Sequence, residues 1–380
     1  MRLRSRRTRA LALGAASAVL VGLASLAYLH VQIPLPRALQ PGPSPPPQLT
    51  ATEFDDVAYD FLSPSVGWAL DLRNDTVGDS GHFWILKTTD GARHWQTIFQ
   101  GTFSSAAQGH IVFFDRLHGF AYLDREGPAV VYSTVDGGAH WIRLRVPPVI
   151  LGAVTFADAE DGWILADPSG GEGGAATAIY ATTDGGASWF READPPGFTA
   201  GLEVRNRNEG WLGSGGDVPA VLLTTDGGVS WRERRLPSGP GATFACSSSV
   251  MLVPGDGVIA LASCKSGPSE QVESSDGGLT WTPLPTPPPD NTSWDRTSFI
   301  DSQNWWTMTG GALWKSADGG QTWQDYGLQL DDWEYIPHAF DLSHAWAQLV
   351  HTGPNPSRLS GLAMTSDGGI HWTQVNAPRP

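Results

Sequence analysis

The chain has 380 residues, among them 45 glycines, 29 prolines and 17 tryptophans, and only 17% are charged. That composition describes many short strands and tight turns rather than long surface helices. The first fifty residues hold six arginines and no acid, which leaves 18 basic and 39 acidic side chains over residues 51–380, a net charge near −21. So acidic a body repels phosphate backbones, and nucleic acid is excluded as a partner class.

In chain order, residues 1–9 form a basic segment with Arg2, Arg4, Arg6, Arg7 and Arg9. Residues 10–29 are an apolar run whose helix would be about 30 Å long, the thickness of a hydrocarbon core. The arginines predict a cytoplasmic start and an extracytoplasmic remainder. The run is expected to stay as a membrane anchor. Ser25-Leu26-Ala27 offers the alternative of a cleaved signal peptide and a secreted protein. Residues 30–50 contain a proline-rich stretch that predicts an extended spacer, and 51–380 are expected to fold as one domain.

Within that domain one octapeptide recurs seven times: TTDGARHW (88–95), TVDGGAHW (134–141), TTDGGASW (182–189), TTDGGVSW (224–231), SSDGGLTW (274–281), SADGGQTW (316–323) and TSDGGIHW (365–372). Its aspartates Asp90, Asp136, Asp184, Asp226, Asp276, Asp318 and Asp367 are spaced by 46, 48, 42, 50, 42 and 49 residues, the period of a propeller blade. The aspartate can accept backbone N–H bonds of its own turn, and Gly-Gly supplies the positive φ of a tight hairpin. The tryptophans Trp95, Trp141, Trp189, Trp231, Trp281, Trp323 and Trp372 then open the returning strand and bury a large ring. Before each octapeptide runs an apolar strand, a polar turn and a second strand that often starts Gly-aromatic, as in TFADAEDGWILA (155–166) and VFFDRLHGFAYL (112–123). Four strands per repeat, seven times, predict an all-β, seven-bladed propeller.

The octapeptide resembles the Asp-box, or bacterial neuraminidase, repeat over residues 54–375. With the phrase Gly-Trp followed by TTDGGxSW, the chain most resembles the photosystem II assembly and stability factor family. That resemblance implies a seven-bladed, chaperone-like scaffold that binds a protein, here one associated with the membrane. The first octapeptide departs from the pattern, with Ala92 in place of the second glycine. The family's arginine patch cannot be placed residue by residue, and Arg232, Arg234 and Arg235 read as a solvated outer strand. Sialidases and two-propeller xyloglucan hydrolases also resemble these repeats, so a carbohydrate-active hydrolase is the alternative function.

No catalytic residue is assigned, and neither a metal nor a cofactor is expected. Each octapeptide offers one carboxylate where a calcium loop needs several. The acids Glu192 with Asp194, and Asp331 and Asp332 with Glu334, read as solvated loop charges rather than as a glycosidase pair. His94, His140 and His371 read as replacements for the usual threonine before the tryptophan, and the glycine-rich run 170–174 as a flexible loop. Cys246 and Cys264, an even count in an exported chain, predict a disulfide, with two buried thiols as the alternative. Partner binding is expected on the face opposite the octapeptides, in the loops Leu72–Gly81, Asp167–Ala176, Pro283–Trp294 and His351–Arg358. Trp294, Trp333 and Tyr335 are its candidate anchors, and core packing of those rings is the competing reading.

Overall fold

The computed structural model describes residues 56–74, 80–104, 107–125, 130–147, 150–167, 178–237, 246–265, 270–285, 297–309, 312–327, 333–351, 360–375 and 378. The basic segment, apolar run and spacer of residues 1–50 lie outside the described residues. Among those described, no helix is long and apolar enough to cross a membrane.

Among the described residues twenty-eight strands follow one another in seven groups of four. The first repeat comprises β1 Asp56–Phe61, β2 Gly67–Asn74, β3 Gly81–Thr88 and β4 Gln96–Phe103. The second has β5 Ala107–Phe113, β6 Gly119–Arg125, β7 Val130–Thr134 and β8 Ile142–Arg143. The third has β9 Ile150–Phe156, β10 Gly162–Asp167, β11 Ala178–Thr182 and β12 Phe190–Arg191. The fourth has β13 Phe198–Val204, β14 Gly210–Gly216, β15 Ala220–Thr224 and β16 Arg232–Arg235. The fifth has β17 Cys246–Leu252, β18 Val258–Ser263, β19 Glu270–Ser274 and β20 Thr282–Pro283. The sixth has β21 Thr297–Phe299, β22 Trp305–Thr309, β23 Ala312–Ser316 and β24 Gln324–Asp325. The seventh has β25 Trp333–Ala339, β26 Ala345–His351, β27 Ser360–Thr365 and β28 Thr373–Val375. Each repeat is an antiparallel meander, and the fourth and fifth are also joined where Gly215 and Gly216 of β14 pair with Ser247 and Cys246 of β17.

Such a sheet is apolar on both faces and cannot cover either one alone. Apolar clusters therefore form between consecutive repeats. The closing cluster joins Trp346 and Leu362 of the seventh repeat to Val57, Tyr59, Phe61 and Ala92 of the first, and Gln348 Nε2 donates to the Val57 carbonyl at 3.0 Å. First strands of neighbouring repeats touch one another, as β1 touches β5, so the repeats stand side by side about a common inner edge. This is the architecture of a β-propeller.

The recurrent Gly-aromatic phrase has a packing cause. A Cβ on Gly67, Gly119 or Gly162 would lie 2.2, 2.6 or 2.3 Å from the ring of the paired Phe61, Phe113 or Phe156. The glycine gives the cross-strand ring its place, and the next aromatic packs onto the following repeat. Trp68 stacks on Phe113 at 3.6 Å, and Phe120 on Phe156 at 3.6 Å. In the fifth repeat Gly257 falls one residue before the glycine position of this phrase. Val258 pairs with Leu252 in the glycine position, and Ile259 takes the aromatic's place opposite Met251.

The octapeptide turns repeat one hydrogen-bond pattern. In the second repeat the buried Thr134 hydroxyl donates to Asp136 Oδ1 at 2.9 Å and accepts from Gly138 N at 2.9 Å. Asp136 Oδ1 also accepts from His140 N at 2.9 Å. Gly137 and Gly138 hold φ of 73° and 94°. At Asp184 and Asp276, Oδ2 accepts from the Ser188 and Thr280 hydroxyls at 2.6 Å, and at Asp136 and Asp90 a histidine Nδ1 takes the same place at 2.6 Å. His94, His140 and His371 thus fill a structural hydrogen-bonding position. In the irregular first turn Ala92 adopts φ 61°, and its buried methyl fills the closing cluster.

Cys246 and Cys264 stand side by side at the ends of β17 and β18 and are joined by a disulfide. Arg234 is not a solvated residue of β16: its Nε donates to the Gly277 carbonyl of the next turn at 3.0 Å, while Arg232 and Arg235 are exposed. Lys87 does the same for Gly137 at 3.0 Å, and Lys315 for Gly368.

The Thr224 hydroxyl accepts from the buried Gly228 N–H at 2.9 Å. Replacing it with the isosteric valine (Thr224→Val) leaves that donor unpaired, and denaturant titration is expected to show a loss of about 1–3 kcal/mol.

Candidate binding cleft

The turn between the first and second strands and the octapeptide turn lie at the same end of each repeat. Gly137 N donates to Leu117 O at 2.8 Å, and Gly185 N to Glu160 O at 2.9 Å. The first-to-second-strand turns are themselves capped: Asp115 Oδ1 accepts from His118 N, and Asp158 Oδ1 from Glu160 N and Asp161 N, all at 2.8 Å. Paired turns of the second and third repeats flank a cleft of about 620 Å³.

On the second repeat's side the cleft is lined by Phe120 of β6, Val135 of the turn, Ile142 of β8 and Leu144 just beyond it. Phe120 is buried, while Val135 and Ile142 are 68% and 64% exposed. On the third repeat's side stand Glu160, Asp184 and Ala187. Close approach of the two repeats is set by Gly186, where a Cβ would fall 2.6 Å from Leu144 Cδ1. Hydrogen bonds from the Ser188 hydroxyl and backbone N–H hold the Asp184 carboxyl below its ordinary value, so it is ionised at neutral pH. Burial raises the Asp161 carboxyl, with the charges of Asp158 and Glu160 adding to the rise and that of Arg207 opposing it.

The residue after the octapeptide tryptophan is polar in five repeats, Gln96, Arg232, Thr282, Gln324 and Thr373, but is Ile142 and Phe190 in the second and third. Phe190 is 58% exposed, as Leu117 is at 52%. Of these deviations Ile142 lines the cleft and was its available sequence signal; Phe190 is not part of the lining. Sequence reasoning placed binding on the opposite face instead. Most of the four loops named for that face, with Trp294, lie outside the described residues. Trp333 and Tyr335 are placed in β25, opposite His351 and Leu349.

A second set of residues became visible only through strand register. The next-to-last residue of each first strand pairs with the residue just after the glycine position of the second: Asp60 with Trp68, Glu203 with Trp211, Ser298 with Trp306. Asp60 Oδ2 accepts from Phe113 N of the next repeat at 2.5 Å, and Ser298 Oγ from Ala339 N at 2.8 Å, so this level links repeats at their inner strands. Burial pushes the Asp60 carboxyl up to about 6 against two backbone hydrogen bonds, and the half-buried Glu203 up to about 7. Of the acids considered from sequence, Glu192 packs against Gly228, Asp194 pairs with Arg191 at 2.9 Å, Asp331 and Asp332 lie outside the described residues, and Glu334 is in β25. Among the described residues no group of three or more His, Cys, Asp or Glu side chains could hold a metal ion.

No family model and no curated protein matches the chain. Among solved structures it is similar to YCF48 bound to a D1 peptide, with 18% identity over 88% of this chain and 99% of the other, at a TM-score of 0.56. It is also similar to YCF48 from Cyanidioschyzon merolae, with 15% identity over 84% and 97% at a TM-score of 0.52. The β-propeller domain of the Trilobed protease from Pyrococcus furiosus matches with 9% identity over 86% and 99% at a TM-score of 0.55. At these identities the likeness shows the fold, a β-propeller.

Because the Glu203 carboxyl is raised from 4.5 to about 7 in the folded protein, its ionisation costs stability that is lost as pH rises through that window. Glu203→Gln removes the cost. The variant's gain in melting temperature over the parent is expected to be larger at pH 8.5 than at pH 4.5, as thermal melts at the two pH values will show.

Proposed function

We propose that this chain is a non-catalytic scaffold: a seven-bladed propeller of Asp-box repeats, one blade per four-strand repeat, that holds a protein partner. Residues 10–29 tether it to the membrane, with the propeller outside the cytoplasm and the partner membrane-associated. The observation that carries the reading is the cleft between the second and third repeats, with a buried aromatic floor and exposed aliphatic lips, Val135 and Ile142, at positions that are polar in most other repeats. A concave apolar surface rimmed by a few polar groups suits a peptide segment. A propeller of the same fold, YCF48, is known in complex with a D1 peptide, which supports this use of the architecture.

A carbohydrate-active hydrolase of the sialidase or xyloglucanase type is the second reading. What favours it is the pair Asp60 and Glu203, two carboxyls with raised pKa at one level of the inner strands. In the scaffold reading Asp60 instead belongs to the link between repeats, as its hydroxyl counterpart Ser298 does.

Affinity capture of the tagged, detergent-solubilised chain from its native membranes separates the two. A specific protein should co-purify with the parent, be lost with Ile142→Asp combined with Val135→Asp, and be retained by Leu342→Asp, an exposed aliphatic control. Turnover of a glycoside that disappears with Glu203→Gln, without variant-sensitive capture, would establish the second reading instead.

A further inference from the structure

The cleft is chemically lopsided, and that asymmetry specifies its occupant. One wall is aliphatic, formed by Ile142 and Leu144 with Val135 at the lip. The other wall carries Glu160 and Asp184, with Asp158 and Asp161 in the same turn as Glu160. Glu160 is exposed, and its carboxylate has no hydrogen-bond or ion-pair partner among the described residues. Asp184 is committed to its own turn through Thr182 and Ser188, yet it stays ionised and contributes field.

Arg207 bears on that wall through Asp161, whose carboxyl it partly offsets; the other cations near the cleft do not face it. Arg143 and Arg145 alternate in sequence with Ile142 and Leu144, so on an extended strand they point away from the face that lines the cleft. His118, the one basic residue of the lining, is held by Asp115 Oδ2 at 2.8 Å. Arg116, two residues earlier in the same turn, is not part of the lining; its carbonyl oxygen lies against Gly137. The domain as a whole carries 39 acidic against 18 basic residues over 51–380 and would add long-range attraction for a cation.

We propose that the cleft takes an extended protein segment in which lysine or arginine lies beside aliphatic residues, the aliphatic side chains on Ile142 and Leu144 and the cation against Glu160. This rests on the reading of the cleft as the partner-binding surface and adds the partner's chemistry. Charge sets the selectivity and apolar contact the seat, as in protein interfaces generally. An acidic segment with the same aliphatic residues is rejected by like charge.

The test uses the full chain in non-ionic detergent and a fluorescent nine-residue peptide with two lysines set between three leucines, alongside its lysine-to-glutamine and lysine-to-glutamate counterparts. Fluorescence polarisation should rank them lysine, glutamine, glutamate. The lysine peptide should bind about tenfold or more tightly than the glutamate one at low salt, with the gap narrowing as salt is raised. Glu160→Lys should reverse the order, and Ile142→Asp should abolish binding of the glutamine peptide. Equal affinity for the lysine and glutamate peptides, or an order unmoved by Glu160→Lys, overturns the cationic occupant while leaving the cleft in place. Binding insensitive to Ile142→Asp, or no binding by any peptide, overturns the cleft as the binding surface.

Discussion

An antiparallel sheet of four short strands has two apolar faces and no means of covering either, and everything else in this molecule follows from that constraint. Each repeat must be sandwiched between two others, so the chain needs neighbours at both ends. It obtains them by bringing Trp346 and Leu362 of the last repeat against Tyr59 and Phe61 of the first. The octapeptide turn serves the same end. By fixing the chain reversal with a buried hydroxyl, one carboxylate and two left-handed residues, it delivers a tryptophan to the seam with the preceding repeat. Trp231 meets Trp163 edge-on at 6.1 Å in this way, and Trp141 packs into the cluster built on Trp68.

Cations reinforce those seams at particular places. Lys87, Arg234 and Lys315 each reach from one repeat to a glycine carbonyl of the next octapeptide turn, and Lys315 lies over the Trp306 ring at 3.5 Å. Arg205 goes further, donating to the carbonyls of Val253, Gly255 and Gly257 while Glu209 holds its Nε at 3.0 Å. These contacts draw on the scarce basic residues of an acidic domain, which leaves the Glu160 turn with more acids than cations: Asp158, Glu160 and Asp161 against Arg207.

The turns were legible in sequence because their chemistry is local: Thr134, Asp136, Gly137 and Gly138 lie within five consecutive positions, and the same positions recur. The pairing of Gly162 with Phe156 was nearly as accessible, since both belong to one hairpin. Repeat five shows where pattern matching slips, because Gly257 looks like the start of the phrase and only the pairing of Val258 with Leu252 sets the register. The role of Arg234, the level shared by Asp60 and Glu203, and the cleft all arise between repeats forty or more residues apart, where spacing carries no distance information. What sequence did hold for the cleft was a departure from consensus, Ile142 where most other repeats are polar. In a repeat protein shared residues report the scaffold, and deviations report what one copy does that the rest do not.

Hydrogen–deuterium exchange on the full chain, with and without its captured partner, tests the account most directly. The account predicts partner-dependent protection in segments 117–120, 131–144, 158–161 and 183–187, the stretches that line the cleft between the second and third repeats. Protection confined to the loops at the opposite end of the repeats, with these segments unchanged, would contradict it.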